Sequence, residues 1–238
     1  MRNLFLKGSF VLAAWVGIAH AEPLPIDGSK LEYNPTRFQL ILDGEHKGEM
    51  YYELERRDGD ILLHEATTLM PDIRESATAV MDGETFAPKS IVLDGDFSRT
   101  IFDTTLEVKN GVITGEYVRK QPTDIAKTPR PFSAEMPDGV IFRPAAFGLM
   151  PGLPLEEGAV FDFTWFSPLA GAMQDVKLEV TGIETVVTPA GEFETYAVYL
   201  TAPQANIVYI TTSEPRRIVR IDVIGQDMRF ERLPDAAE

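Results

Sequence analysis

A series of Asp-Gly and Asn-Gly dipeptides constrains this chain more than any other feature. They stand at Asp43-Gly44, Asp58-Gly59, Asp82-Gly83, Asp94-Gly95 and Asn110-Gly111. Asp, Asn and Gly tolerate positive φ, and such pairs favour tight hairpin turns. Between them lie runs such as Met50–Glu55, Ile61–Leu69, Ile91–Leu93 and Thr100–Val108, in which β-branched and aromatic residues often alternate with polar ones. Alternation with a period of two marks a half-buried strand. The first half of the chain therefore reads as a meander of antiparallel strands.

Residues 120–137 hold four prolines and no apolar period, the composition of a long loop. Asp138 to Met150 is the one helix candidate, with its acid placed early, Pro144 suited to a first turn, and Pro151-Gly152 to stop it. Strands resume at Val160–Phe166, Asp175–Val187, Phe193–Thr201, Ala205–Thr211, Arg217–Ile224 and Met228–Leu233, and Thr188-Pro-Ala-Gly191 reads as a turn between two of them. The expectation is a mainly β protein: a large antiparallel curved sheet or half-open barrel of about twelve strands with one short helix. Residues 37–238 are expected to form one domain, with 22–36 as an N-terminal arm.

Residues 1–21 read as a secretory signal peptide. Arg2 and Lys7 precede a short apolar core, and Ala19-His20-Ala21 puts small residues at the cleavage positions. The apolar run is too short to span a bilayer, which takes about 20 residues. Losing it removes two positive charges and no acid, so the net charge moves from −15 to −17. Phosphate backbones and anionic headgroups repel such a surface, which argues against nucleic-acid binding; no later segment reaches spanning length, so no integral membrane insertion is expected. The chain has no cysteine. That excludes disulfides, thiolate nucleophiles, Cys-ligated zinc, iron–sulfur clusters and a lipidated cysteine. Export of a cysteine-free chain fits the bacterial periplasm.

Several segments carry a resemblance. Leu42-Asp43-Gly44 followed by Gly48, the block Asp138 to Gly158 with "LMPGLPLEEG", Thr181-Gly182-x-Glu184 with Pro189-Ala-Gly191-x-Phe193-Glu194-Thr195-Tyr196, and the stretch from Tyr209 through "PRRIVRID" resemble an exported bacterial family of unknown function. The likeness runs over residues 37–233 and rests mostly on turn-and-strand patterns. It implies a half-open antiparallel barrel curled over a helix, similar to the periplasmic lipoprotein carriers, and it supplies no catalytic residues.

The residues themselves offer little chemistry. After the leader only His46 and His64 remain, with no metal-ligand spacing between them. Asp58-Gly59-Asp60 and Asp94-Gly95-Asp96 do not continue into a calcium loop. No Gly-x-Ser-x-Gly elbow, Ser-x-x-Lys pair or phosphate loop occurs. No catalytic residue, metal or cofactor is expected. Aromatic density is the stronger signal. Phe161, Phe163 and Trp165 fall on one face of a strand, and a helix bearing Phe142, Phe147, Leu149 and Met150 could pack against that face. An ordinary filled core and an apolar ligand pocket both fit this pattern, and Met70, Met81, Met136, Met150 and Met173 would make a pocket adaptable. Arg216, Arg217 and Arg220 form the densest basic spot, either a balanced strand face or a lip for an anionic group. The leading expectation is a non-catalytic periplasmic binding or carrier protein for an apolar small molecule or lipid. The alternatives are an envelope assembly protein working through a protein partner, or a hydrolase with an unrecognised site.

Overall fold

The computed structural model describes residues 23–71 and 73–235, so the leader read at residues 1–21 lies outside the described residues. The first half of the chain forms β1 (Thr36–Leu42), β2 (Glu45–Arg57), β3 (Asp60–Leu69), β4 (Ile73–Asp82), β5 (Pro88–Phe97), β6 (Thr100–Lys109), β7 (Val112–Lys120) and β8 (Arg130–Glu135). A two-residue strand β9 (Ile141–Phe142) and the helix α1 (Arg143–Leu149) follow. The second half forms β10 (Val160–Ser167), β11 (Ala172–Thr188), β12 (Gly191–Thr201), β13 (Asn206–Thr211), β14 (Ile218–Val223) and β15 (Met228–Arg232).

All fifteen strands belong to one sheet, in the order β8-β7-β6-β5-β4-β3-β2-β1-β15-β14-β13-β12-β11-β10-β9. Two meanders therefore meet where β1 pairs with β15, Phe38 opposite Arg232. This arrangement forces curvature. Laid flat, fifteen strands at about 4.8 Å spacing would put the edges about 65 Å apart. Yet only residues 136–140 join β8, at one edge, to β9, at the other, and so short a stretch reaches about 20 Å. The sheet must curl until its edges approach. They do: the Phe132 ring on β8 lies 5.6 Å from that of Phe166 on β10, and the Tyr117 hydroxyl on β7 donates to the Leu169 carbonyl oxygen at 2.9 Å. Helix α1 begins where the chain reaches the second edge, and it packs against the inner face of β3, β4 and β10.

Three of the five turn dipeptides are two-residue hairpin turns with both φ values positive: Asp43-Gly44, Asp58-Gly59 and Asn110-Gly111. The Asp82 carboxylate accepts from the backbone N–H groups of Glu84 and Thr85 and opens a longer loop. Asp94-Gly95 departs from the expectation, lying inside β5 with Gly95 opposite Glu75. A Cβ at Gly95 would come within 2.7 Å of the Phe97 ring, so this glycine makes room for a side chain rather than for a turn. The turn itself falls at Ser98-Arg99, both with positive φ.

The strand count exceeds the expected twelve, for physical reasons visible in the added strands. β4 (IRESATAVMD) is rich in small and polar residues, and β7 is interrupted by Gly115. β8 lies inside the proline-rich stretch 120–137 that reads as loop. Proline is admitted there because β8 is an edge strand paired only with β7. The helix is also shorter than Asp138–Met150. Gly139, at φ 83°, turns the chain first, β9 follows, and seven residues of α-helix then start at Arg143 with Pro144 in the first turn.

Two large apolar clusters fill the inside of the curl. One gathers Phe163, Trp165 and Met150 with Leu178, Val198 and Val208. The other gathers Phe142 and Leu149 with Ile61, Leu63, Met81 and Ile91. The residues before β1 are fixed rather than loose: Leu31 is buried in the second cluster, and the Asp27 N–H donates to the Gly152 carbonyl oxygen at 2.8 Å.

Candidate functional site

Between the two clusters the inner face is not filled. A cavity of about 240 Å³ lies between α1 and the concave side of β1–β5 and β13–β15. Strand register orders its wall into rows. One row, Phe97–Ile73–Leu69–Gly48–Leu40–Phe230–Ile221, carries only apolar side chains. The next holds Glu75, Thr67, Met50, Phe38 and Arg232. The third, nearest α1, holds Glu65, Tyr52 and Thr36 and is wholly polar. The wall thus passes from an apolar row to a polar one, and Leu54, two residues beyond Tyr52 on β2, lines the cavity past it. Gln204 and Asn206 also reach it, but the Gln204 amide donates to the carbonyl oxygens of Ala205 and Ile224, and the Asn206 amide to that of Gln204.

The polar end is built from four elements. Tyr52 on β2 stands directly opposite Glu65 on β3, and Thr67 opposite Glu75 on β4. Arg143 enters from the start of α1. The helix comes close here because Gly148 has no side chain; a Cβ at that position would overlap the Tyr52 hydroxyl. The Tyr52 hydroxyl oxygen is buried and has no hydrogen-bond partner. Desolvation first, and the Glu75 charge second, push the Glu65 carboxyl from the ordinary 4.5 up to about 8, against the pull of Arg143. Burial raises Glu75 as well, again opposed by Arg143. Burial lifts Tyr52 well above the ordinary phenol range, and the charges of Glu65 and Glu32 add to it. Burial and the neighbouring charge thus both favour the protonated form of Glu65.

Beside this group lies a satisfied ion pair. Arg232, 2% exposed, donates to both Glu32 carboxylate oxygens at 2.7 and 2.9 Å and to Asp235 at 2.9 Å. Arg217 approaches Glu32 at 3.3 Å. Arg216 is buried at the cavity wall, where its Nη1 donates to the Leu153 carbonyl oxygen at 2.6 Å and ties down the turn after α1. Its Nε has no partner.

The residues singled out from the sequence are distributed differently from the pattern that suggested them. Of Phe142, Phe147, Met150, Phe161, Phe163 and Trp165, Phe147 lines the cavity. Phe142, Met150, Phe163 and Trp165 are core residues, and the Trp165 indole N–H donates to Gln174 at 2.8 Å. Phe161 lines a shallow depression with Lys30, Leu155 and Val160. Of the five methionines named as adaptable lining, none reaches the cavity; Met50 and Met228 do. The three arginines do not form one lip. Arg216 points inward, Arg217 pairs with Glu32, and Arg220 is held by Asp222 at 2.6 and 2.8 Å and lies over the Tyr209 ring. A sequence signal for the polar group existed in the strand phase. Ile61-Leu63-Glu65-Thr67-Leu69 and Ile73-Glu75-Ala77-Ala79-Met81 are inner-facing sets, each with one glutamate on an otherwise mostly apolar phase.

A family model described as a protein of unknown function (DUF3108) matches residues 61–230. No curated protein matches the chain. A crystal structure of a Bacteroides fragilis protein with a YmcC-like fold aligns over 91% of this chain and 100% of its own, at 11% identity and a TM-score of 0.30.

Proposed function

The chain belongs to the DUF3108 family, whose function is unknown, and we propose that it is a non-catalytic periplasmic protein that binds or carries an apolar or lipid-like ligand with a polar head. The observation that carries this reading is the graded lining of the cavity, from the apolar row ending in Phe97 and Ile221 to the polar row of Glu65, Tyr52 and Thr36. A filled core has no reason to keep two carboxyls and a guanidinium on a cavity wall, because each costs several kcal/mol to desolvate, on the order of that lost when a buried pair is broken. An amphiphile would bury its tail against the first row and satisfy the second with its head. A volume of about 240 Å³ is below the usual range for drug-sized ligands, about 300–1,000 Å³, and suits one narrow chain better than a ring system. Met50 and Met228 can repack around chains of different length. The periplasmic setting rests on the leader sequence.

The test is native mass spectrometry of the protein exported to a bacterial periplasm, with organic extraction of what co-purifies. The expected result is a one-to-one adduct that is lost when Leu69→Trp fills the apolar end. An adduct-free protein that also takes up no added 10- to 16-carbon amphiphile would overturn the reading.

A further inference from the structure

The cavity wall carries three acids, Glu32, Glu65 and Glu75, and three guanidiniums, Arg143, Arg216 and Arg232, but they are not evenly paired: Arg216 is spent on the Pro151 and Leu153 carbonyl oxygens. Glu65 from β3 and Glu75 from β4 converge at the polar end, and Arg143 from α1 is the one guanidinium acting on both. Glu32, the other acid on the wall, is already taken by Arg232 and Arg217. One negative charge in the trio therefore has no resident partner. Burial first, and the Glu75 charge second, favour a proton on Glu65, and that proton offsets the missing positive charge. Tyr52, from β2, adds an oxygen that is buried, unpartnered and part of the cavity wall.

Resting on the amphiphile reading above, we propose that this end of the cavity is a site for a primary ammonium head, seated between Glu65 and Glu75 with the Tyr52 hydroxyl as its third acceptor. An ammonium has three N–H donors and no acceptor. The three oxygen-bearing groups match it in number, and its charge balances the trio without a proton. A carboxylate head would face two acids and require both to be protonated. A hydroxyl head would leave the second acid without a role. Binding is a simple exchange: the ammonium enters with its charge, the Glu65 proton leaves to solvent, and no covalent bond changes. Affinity for the amine therefore rises as pH rises toward the Glu65 value, because fewer protons compete for the site. The charged and titratable groups facing Glu65 are Tyr52 from β2, Glu75 from β4 and Arg143 from α1, with Glu32 acting at longer range on Tyr52.

The experiment is isothermal titration calorimetry with decylamine, decanoate and 1-decanol, each below its aggregation limit, at pH 6, 7 and 8 in buffers of differing ionisation enthalpy. Decylamine, charged throughout as an amine of ordinary pKa near ~10.4, is expected to bind at least about tenfold more tightly than the other two. It should release about one proton at pH 7 and tighten from pH 6 to pH 8. Glu65→Gln and Glu75→Gln should each weaken decylamine at least about tenfold, with Glu65→Gln also abolishing proton release. Decanol binding by the same variants reports that the cavity is intact. Decanoate binding as tightly as decylamine, no proton release, or unweakened decylamine binding by Glu65→Gln would each overturn the ammonium assignment while leaving an amphiphile site. Failure of all three ligands to bind the wild-type protein would instead overturn the amphiphile reading itself.

Discussion

Replacing Glu65 by Gln is expected to make the protein more stable at pH 8, although it removes a charged group. The sign follows from linkage. A carboxyl whose folded value lies above its unfolded value binds more protons when folded, so stability falls as pH rises between the two. For Glu65 that window runs from the ordinary 4.5 to about 8. At about 1.4 kcal/mol per pH unit, a gap of about 3.5 corresponds to an upper bound near 5 kcal/mol. Water in the cavity and the relief Glu75 gains when its neighbour is neutral both reduce it, so about 2–4 kcal/mol is expected. Urea unfolding followed by circular dichroism at pH 5, 6, 7 and 8 measures the difference directly. Wild type and Glu65→Gln should be nearly equal at pH 5, with the variant gaining steadily to pH 8. Parallel pH profiles for the two proteins would show that Glu65 is not held protonated, and the charge count at the polar end would then be wrong.

Other consequences follow from the same geometry. Arg232→Met should cost about 3–5 kcal/mol in thermal or urea unfolding, because Glu32 stays buried without its two-pronged partner; adding Glu32→Gln should recover part of the loss. Gly148→Ala should cost about 1–3 kcal/mol by driving a methyl into the Tyr52 hydroxyl, and combining it with Tyr52→Ala should shrink that cost. Trp165→Phe should lower stability by about 1 kcal/mol through the lost Gln174 hydrogen bond, with amphiphile affinity within about twofold of wild type; Phe147→Ala should weaken the ligand at constant fold.

How far the fold could be read from residues depended on whether the signal was local. Asp43-Gly44, Asp58-Gly59 and Asn110-Gly111 specify hairpins by backbone conformation alone, and they behave as read. Asp94-Gly95 has the same local chemistry but sits mid-strand, because the fit of Gly95 against Phe97 is a tertiary matter. β8 is not legible in the sequence, because proline argues against a strand unless the strand is known to be an edge, and edge position is a property of the whole sheet. The aromatic run Phe161-Phe163-Trp165 was legible as a buried face, yet burial does not distinguish a core from a cavity wall; packing puts Phe163 and Trp165 in the core. The cavity depends on which strands curl to face one another. Glu65, Glu75 and Arg143 come from β3, β4 and α1, and no spacing along the chain brings them together. Their one local trace is an acid on the apolar phase of each strand.

The measurement that bears most directly on the central claim is a methyl NMR titration of the protein with decylamine. If the graded cavity is the binding site, shifts will be confined to the methyls of Leu40, Met50, Leu69, Ile73, Ile221 and Met228 along its wall. Those of Ile183 and Val187, exposed on β11 away from it, will stay in place. Shifts concentrated at Ile183 and Val187 with the cavity methyls unmoved would contradict the account.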